Sequence, residues 1–453
     1  MQMKIIIAGI GKLGEYLTKS LVEDNNEITL IDENFSRVKD LINNIDINYI
    51  SGNALDVKVL SEAGIDTADL LISVMDQDEK NVICSLLGKK LGVKQTIARV
   101  RNPEYNGAIN ILKEELGLSL ALNPEYLTAQ HIAHSLSIPS ALEATSFFKG
   151  RIQMITLKIK KNSILNGCNL NRFSKKLDIN VIVCAIDRKG KIIIPQGKDI
   201  IKADDKIYVA GTFDNIRKFL EYADLISQKT KNVIICGGSK TTVYLAQNLI
   251  NLGMKVKIIE VDLKRCEQLS ALLPKALIIN GDVSDQNILY EEGISTCDAF
   301  VSLTSIDEEN IVYSMFASLN NVPKIITKIN HIDLDGVIEK ANIDTIITPH
   351  RIAANHIVKY VRALHNSEKS SCEAVYKFDD DIFEMLEFKI KKEFKGLNKK
   401  IRDLKVKANV LIVAILRDKT IIYPNGNEEI RLNDIIILID GTNEVVNVND
   451  MVD

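Results

Sequence analysis

The chain is one pattern written twice, and that duplication limits its fold more than any other feature. Gly9 and Asp32 recur as Gly237 and Glu260, 228 residues further on. Gly52, Gly64, Asp69 and Asn81 recur as Gly281, Gly293, Asp298 and Asn310, each 229 further on. Arg188, Pro195, Gly197 and Asp205 recur as Arg417, Pro424, Gly426 and Asp434, again 229 apart. An offset this constant across most of a 453-residue chain marks a tandem duplication, which must be recognised before any element is read.

Each half divides again. Short β-branched runs alternate with amphipathic stretches through the first 120 residues. Strands are expected at Lys4–Ala8, Glu27–Ile31, Ile47–Ile50, Ala68–Val74 and Gln95–Val100. Between them, Leu13, Leu17 and Leu21 form one helical stripe, and Arg37–Ile42, Val57–Glu62 and Glu79–Leu91 fit helices. This alternation implies right-handed βαβ crossovers and a parallel sheet. Residues 150–225 differ, with strands at Arg151–Ile159, Val181–Asp187, Ile192–Ile194 and Lys206–Ala210 and a helix-like Leu170–Leu177. That pattern reads as a small α+β module with mostly antiparallel pairing. The α/β expectation is therefore two Rossmann-like parallel-sheet domains, each followed by a small α+β domain. The expected boundaries are 1–120, a linking helix 121–145, 146–228, then 229–346, a second linking helix 347–370, and 371–453.

The most informative segment is Gly9-Ile10-Gly11-Lys12-Leu13-Gly14, which follows an apolar strand and opens a helix. An acid, Asp32, ends the next expected strand. Gly9 permits a tight turn, Gly11 lets backbone approach a phosphate, and Gly14 lets helix pack on strand. The helix N-terminus offers unpaired N–H groups, and Asp32 can accept both ribose hydroxyls while repelling a 2′-phosphate. Lys12 lies near where further phosphates would project. Asn53 and Met75 stand at the ends of the third and fourth strands, which bracket the adenosine pocket in such sheets, and Arg99 and Arg101, at the end of the fifth, could meet a phosphate from the same or a neighbouring chain. The second turn reads Gly237-Gly238-Ser239-Lys240-Thr241-Thr242. Serine there narrows the approach to phosphate, and threonine at the third glycine position pushes helix from strand. Glu260 and Asp282 remain as the ribose acceptor and the end of the third strand.

Other features exclude functions. Lys and Arg number 57 against 60 Asp and Glu, a net charge of −3, which argues against a general nucleic-acid binder. The apolar run Val410–Leu416 has seven residues, far short of the roughly 20 that cross a bilayer. The first residues are too few for a secretory leader before the glycine turn begins, so a cytosolic chain is expected. Seven scattered cysteines form no CxxC pair and read as small buried hydrophobes. His131 and His134 share a helix face, but no third ligand has a metal-like spacing, and surface or interface histidines are expected. No nucleophile–base arrangement or Walker lysine stands out. The repeated Arg…Pro-x-Gly…Asp signature of the small modules reads as turn chemistry. A nucleotide turn without a catalytic partner favours a sensor. The alternatives are an NAD-dependent oxidoreductase and a regulatory subunit of some other ion transporter.

These residues resemble the TrkA family of potassium-uptake regulatory subunits in its duplicated form. The resemblance rests on the glycine turn, Asp32, Gly52-Asn53-Ala54, Asp78-Glu79-x-Asn81, the Ile97–Tyr105 run, and the Pro-x-Gly…Asp signature. It covers almost the whole chain. It implies tandem domains of the kind that regulate potassium conductance (RCK) and regulatory binding of NAD(H) or ATP/ADP. It further implies a homotetrameric gating ring, peripheral on the inner face of the cell membrane, beneath a separate Trk-type potassium-translocating subunit. Carried over by position, the first nucleotide site would use Gly9 to Leu13, Asp32, Met75 and Arg99.

Overall fold

The structure, a computed structural model, describes residues 2–102, 105, 117–137, 143–147, 151–170, 179–225, 230–330, 345–369, 372–378, 383–418, 420–442, 445 and 447–452. The chain forms two compact units, each drawing on both halves: Met1–Leu136 with Thr230–Val358, and Ser137–Lys229 with Lys359–Asp453.

The first unit begins with β1 (Lys4–Ala8), α1 (Lys12–Glu23), β2 (Glu27–Asp32), α2 (Phe35–Asn44), β3 (Asn48–Ser51), α3 (Val57–Glu62), β4 (Leu70–Ser73), α4 (Asp78–Leu91), β5 (Gln95–Arg99) and β6 (Leu120–Leu122). The sheet runs β3-β2-β1-β4-β5-β6, and every pairing is parallel. The expected α/β alternation is therefore present, with β6 added. Three residues are too few to show a periodicity, so β6 had no readable signal. Strand β4 is buried along its whole length, as a central parallel strand covered on both faces must be. Leu13, Leu17 and Leu21 do form the buried stripe of α1. A helix, α5 (Pro124–Ser137), follows.

The small module that comes next contains β7 (Glu143–Phe147), β8 (Ile152–Lys158), β9 (Val181–Arg188), β10 (Lys191–Ile193), β11 (Lys206–Gly211) and α6 (Phe213–Tyr222). Its order is β10-β9-β11-β8-β7, antiparallel throughout. The expected helix-like Leu170–Leu177 lies, beyond residue 170, outside the described residues. Helix α6 was not anticipated. Thr212 caps it by accepting from Asn215 N, and Ile216, Phe219 and Leu220 form its buried face.

The second half repeats both parts. Its parallel sheet holds β12 (Asn232–Cys236), β13 (Lys255–Glu260), β14 (Leu277–Asn280), β15 (Ala299–Ser302), β16 (Lys324–Lys328) and β17 (Thr345–Ile347), in the order β14-β13-β12-β15-β16-β17. Its helices are α7 (Lys240–Asn251), α8 (Leu263–Leu272), α9 (Gln286–Glu291), α10 (Asp307–Leu319) and α11 (Pro349–Lys369). The last sheet is β18-β19-β22-β20-β21, from Cys372–Phe378, Phe383–Lys389, Ile435–Asp440, Val410–Arg417 and Thr420–Ile422.

Two features tie the repeats together. In the first unit, Ala129, Ile132, Ala133 and Leu136 of α5 are buried in the same cluster as Val233, Ile235, Leu245 and Leu249 of the second Rossmann domain. A helix from the first half thus completes the core of the second. In the second unit, the inner faces of the two small sheets share Met154, Cys184, Tyr208, Phe383, Met385, Val413 and Ile437, with the Tyr208 and Phe383 rings edge-on at 4.9 Å.

The repeated arginine–aspartate signature corrects the sequence reading. Arg188 grips the buried Asp205 with Nε and Nη2, both at 2.8 Å, and Nη2 also donates to the Ile200 carbonyl. Arg417 grips Asp434 the same way, at 3.0 and 2.9 Å. Each aspartate also accepts a backbone N–H, from Lys202 and Arg431 respectively. The pair is a bidentate ion pair, its aspartate buried and its arginine half-buried, that pins the loop leading into β11 or β22, while Gly197 lies in the turn after β10. Cys84, Cys184, Cys236, Cys266 and Cys297 are buried and unpaired.

Candidate functional site

The carboxyl ends of the strands in the first sheet bring the predicted residues together. Gly9 follows β1 with φ +100°, and a Cβ there would lie 2.8 Å from Met75 N, so the turn requires glycine. A Cβ at Gly14 would stand 2.1 Å from the Gly9 carbonyl oxygen, which fixes how closely α1 returns to the turn. Gly11 differs from both, because nothing lies within 4 Å of where its Cβ would be. It is the N-cap of α1, and no side chain caps that helix. The first turn therefore faces an open cradle, with Ile10 and Leu13 buried on either side and Lys12 exposed.

Asp32 ends β2 beside this turn. Its Oδ2 accepts from Ile10 N and its Oδ1 from Asn34 N, both at 2.8 Å. These bonds hold the carboxylate in place and leave lone pairs for further donors. Asn53, at the end of β3, is exposed and accepts from Leu55 N at 2.9 Å, which shapes the loop after Gly52.

The other wall of the cleft is held by a residue whose role spacing did not reveal. The Asn81 carboxamide, wholly buried on α4, accepts from Met75 N at 2.7 Å and donates to the Met75 and Arg99 carbonyls, both at 3.0 Å. It clamps the end of β4 to the end of β5. Asp78 similarly accepts from Arg101 N at 2.8 Å and Asn102 N at 2.9 Å. The Arg99 side chain turns back to donate to the Met75 carbonyl. Its Nε has no hydrogen-bond partner among the described residues, and burial lowers its pKa to about 10.

Glu125, in the first turn of α5, was also missed. Burial raises its pKa, against the attraction of Arg101, Arg99 and Lys240, and its Oε2 has no hydrogen-bond partner among the described residues. The cations acting on it come from both Rossmann domains. Nothing local to α5 in the sequence could announce this. His131 and His134, on the same helix, are half-buried, and burial depresses their pKa.

The second turn is built differently. Glu260 takes the place of Asp32, with Oε2 accepting from Gly238 N at 2.5 Å and Oε1 from Asp262 N at 2.9 Å. Ser239 caps α7 by accepting from Thr242 N at 3.2 Å. The buried Thr242 hydroxyl donates to the Gly237 carbonyl at 2.6 Å, so an internal hydrogen bond joins helix to turn where the first repeat has the close approach of Gly14 to the Gly9 carbonyl. Arg265 lies over the turn, its Nε 2.6 Å from the Gly238 carbonyl. Thr241 is buried, Lys240 is exposed, and Asp282 accepts from Ser284 N at 2.8 Å in the loop after β14. Lys328 occupies the place of Arg99, with its pKa lowered by burial. Asn310 repeats the clamp of Asn81, joining Thr304 to the Lys328 carbonyl.

Fold and cleft together define a tandem Rossmann protein in which each parallel-sheet domain is followed by a small antiparallel one. The TrkA-N domain matches residues 5–124 and 233–349, and the TrkA-C domain matches residues 154–224 and 385–445. The Trk system potassium uptake protein TrkA of Haemophilus influenzae is 31% identical over 443 residues, covering 96% of this chain and 95% of the relative. A TrkA homolog of Archaeoglobus fulgidus is 28% identical over 449 residues, covering 99% and 100%. The chain belongs to the TrkA family. Among solved structures, the GsuK channel superposes with a TM-score of 0.66 at 17% identity, covering 98% of this chain and 77% of that one. The GsuK channel bound to NAD gives 0.64 at 16% identity, covering 100% and 79%. At such identities the likeness is one of fold. Among the described residues, no helix is long and apolar enough to cross a membrane.

Proposed function

We propose that this chain is the nucleotide-sensing regulatory subunit of a Trk-type potassium uptake system. NAD(H) or ATP/ADP binds in the first cleft, with its diphosphate on the Gly9–Leu13 turn, its ribose on Asp32, and the walls formed by Asn53, Met75 and Arg99. The observation that carries this reading is the uncapped turn at Gly11, open in space and flanked by a carboxylate held in place. The NAD-bound and ADP-bound forms of the similarly folded GsuK support it.

Among the described residues the cleft holds no nucleophile–base pair, and we infer a sensor rather than an enzyme. Bound nucleotide favours one arrangement of Rossmann domains. A coupling of about 1–3 kcal/mol would shift conductance roughly 5- to 150-fold. Four chains supply eight Rossmann domains for a ring on the inner face of the cell membrane, acting on a separate potassium-translocating subunit. The division into Rossmann domains 1–120 and 229–346, linking helices 121–145 and 347–370, and small domains 146–228 and 371–453 belongs to the same proposal. The second cleft (Gly237 to Thr241, Glu260 and Asp282) binds more weakly, because Ser239 and Arg265 already engage its turn.

Equilibrium binding of ATP, ADP and NADH to the wild type and to Asp32→Ala tests the site. Equal affinities would remove it. Light scattering of the purified chain tests the tetramer, and co-purification with a membrane subunit tests the partner.

A further inference from the structure

The amino ends of the strands, opposite the nucleotide cleft, carry a second feature. Helix α3 has six residues and does not cover the sheet to its lower edge. A cavity of about 370 Å³ remains there, bounded by β1, β2, β3 and the end of α3. Side chains alternate between the faces of a strand, so Ile6, Glu27, Thr29 and Ile50 all point to the side that α3 only partly covers. Ile6 and Ile50 give an apolar floor, and Glu27 and Glu62 give an anionic rim.

The second repeat shows what fills the corresponding place. Thr29 corresponds to Lys257 and Ala63 to Glu292. Lys257 runs across the sheet and donates from Nζ to the Glu292 carbonyl at 2.8 Å and to its carboxylate at 3.0 Å. The second copy thus carries its own alkylammonium group, docked at the carboxyl end of α9. It also has Lys255 where the first copy has Glu27. In the first copy threonine and glutamate stand in place of these two lysines, Lys4 stands where the second copy has Asn232, and the groove stands open. Lys4, paired in register with Glu27, also lines the groove; its backbone N–H donates to Asp69 Oδ2 at 2.9 Å, and that carboxylate also holds Lys94 at 2.7 Å.

We propose that this groove of the first Rossmann domain binds an aliphatic polyamine. The alkyl chain lies on Ile6 and Ile50, one ammonium donates to the Ala63 carbonyl at the end of α3, and Glu27 and Glu62 supply the countercharge. The ligand restores from outside the group that Lys257 supplies internally to the second copy. The inference does not depend on the nucleotide reading, because no residue of the glycine turn takes part.

Titration calorimetry of the full-length chain with spermidine, at fixed potassium chloride, tests it. The wild type shows saturable binding. Thr29→Lys combined with Ala63→Glu installs the ion pair of the second copy and weakens binding by roughly tenfold or more, the loss expected for one charge-assisted hydrogen bond and its site. Thermal melting checks that this variant folds. Glu27→Gln combined with Glu62→Gln, at exposed positions, gives the same loss and decides the matter if the first variant does not fold. Absence of saturable binding by the wild type overturns the proposal. So does equal binding by wild type and variants, which would mean diffuse attraction to the surface.

Discussion

Ser239 Oγ accepts the Thr242 N–H at 3.2 Å, whereas its counterpart Gly11 has no side chain to cap α1. The same helix start is therefore satisfied from within in one repeat and left for a ligand in the other. Ser239→Gly removes the internal acceptor, and the second cleft then gains affinity for ADP. Binding stoichiometry measured with Asp32→Ala as background isolates that cleft.

Two glycines of the first turn separate folding from binding. Gly14→Ala forces a Cβ to 2.1 Å from the Gly9 oxygen and costs about 1–3 kcal/mol in denaturant unfolding. Gly11→Ala meets nothing within 4 Å, so stability holds while nucleotide affinity falls, because the methyl group stands where a phosphate would approach. If Gly11→Ala binds nucleotide as the wild type does, the phosphate lies elsewhere.

Asn81→Ala deletes three hydrogen bonds that join the ends of β4 and β5. A loss of about 1–3 kcal/mol is expected, since the Met75 N–H and the Arg99 carbonyl lose their Asn81 partner while the Met75 carbonyl keeps the Arg99 guanidinium. Hydrogen exchange at Met75 should rise more than exchange along β1.

Asp205→Ala leaves the half-buried Arg188 without its main partner and costs about 1.5–3 kcal/mol, the range for hydrogen bonds to a charged group. Burial raises the Asp205 pKa, but the Arg188 hydrogen bond and the Lys202 N–H outweigh it, so the net shift is downward. A carboxylate with a depressed folded pKa stabilises the fold above its unfolded pKa, and this contribution is lost as pH falls through the folded value. Acid unfolding of the wild type should therefore show a component that Asp205→Asn lacks.

Glu125 has the opposite sign. Its folded pKa is raised, so the folded state holds the proton more tightly, and stability declines as pH rises from the unfolded value through the folded one. Glu125→Gln removes that decline. Thermal midpoints of wild type and variant between about pH 4 and about pH 8 should converge at the acid end and separate toward the basic end.

What could be read in advance was whatever depends on neighbours in sequence. The Gly9–Gly14 turn, the Leu13–Leu17–Leu21 stripe and the acid at the end of β2 are local signals, and each stands where its pattern put it. Asn81 and Glu125 are polar residues on helices whose partners lie on other strands or in another domain, so no local pattern marks them. Arg188 and Asp205 were visible as a repeated pair, yet 17 residues of separation hid that they touch. Helix α6 was a different failure. Its Thr212 cap and its Ile216, Phe219 and Leu220 stripe were present in the sequence, but the neighbouring strands drew the reading toward antiparallel structure.

Helix α5 belongs by chain to one repeat and by packing to the other. Severing the gene at its internal seam would leave the carboxyl-terminal Rossmann domain with a bare apolar flank where Ile132 and Leu136 had been. Such a fragment could be made whole only by receiving that helix from a separate molecule, so the duplication turns what would otherwise be an exchange between two molecules into an internal one.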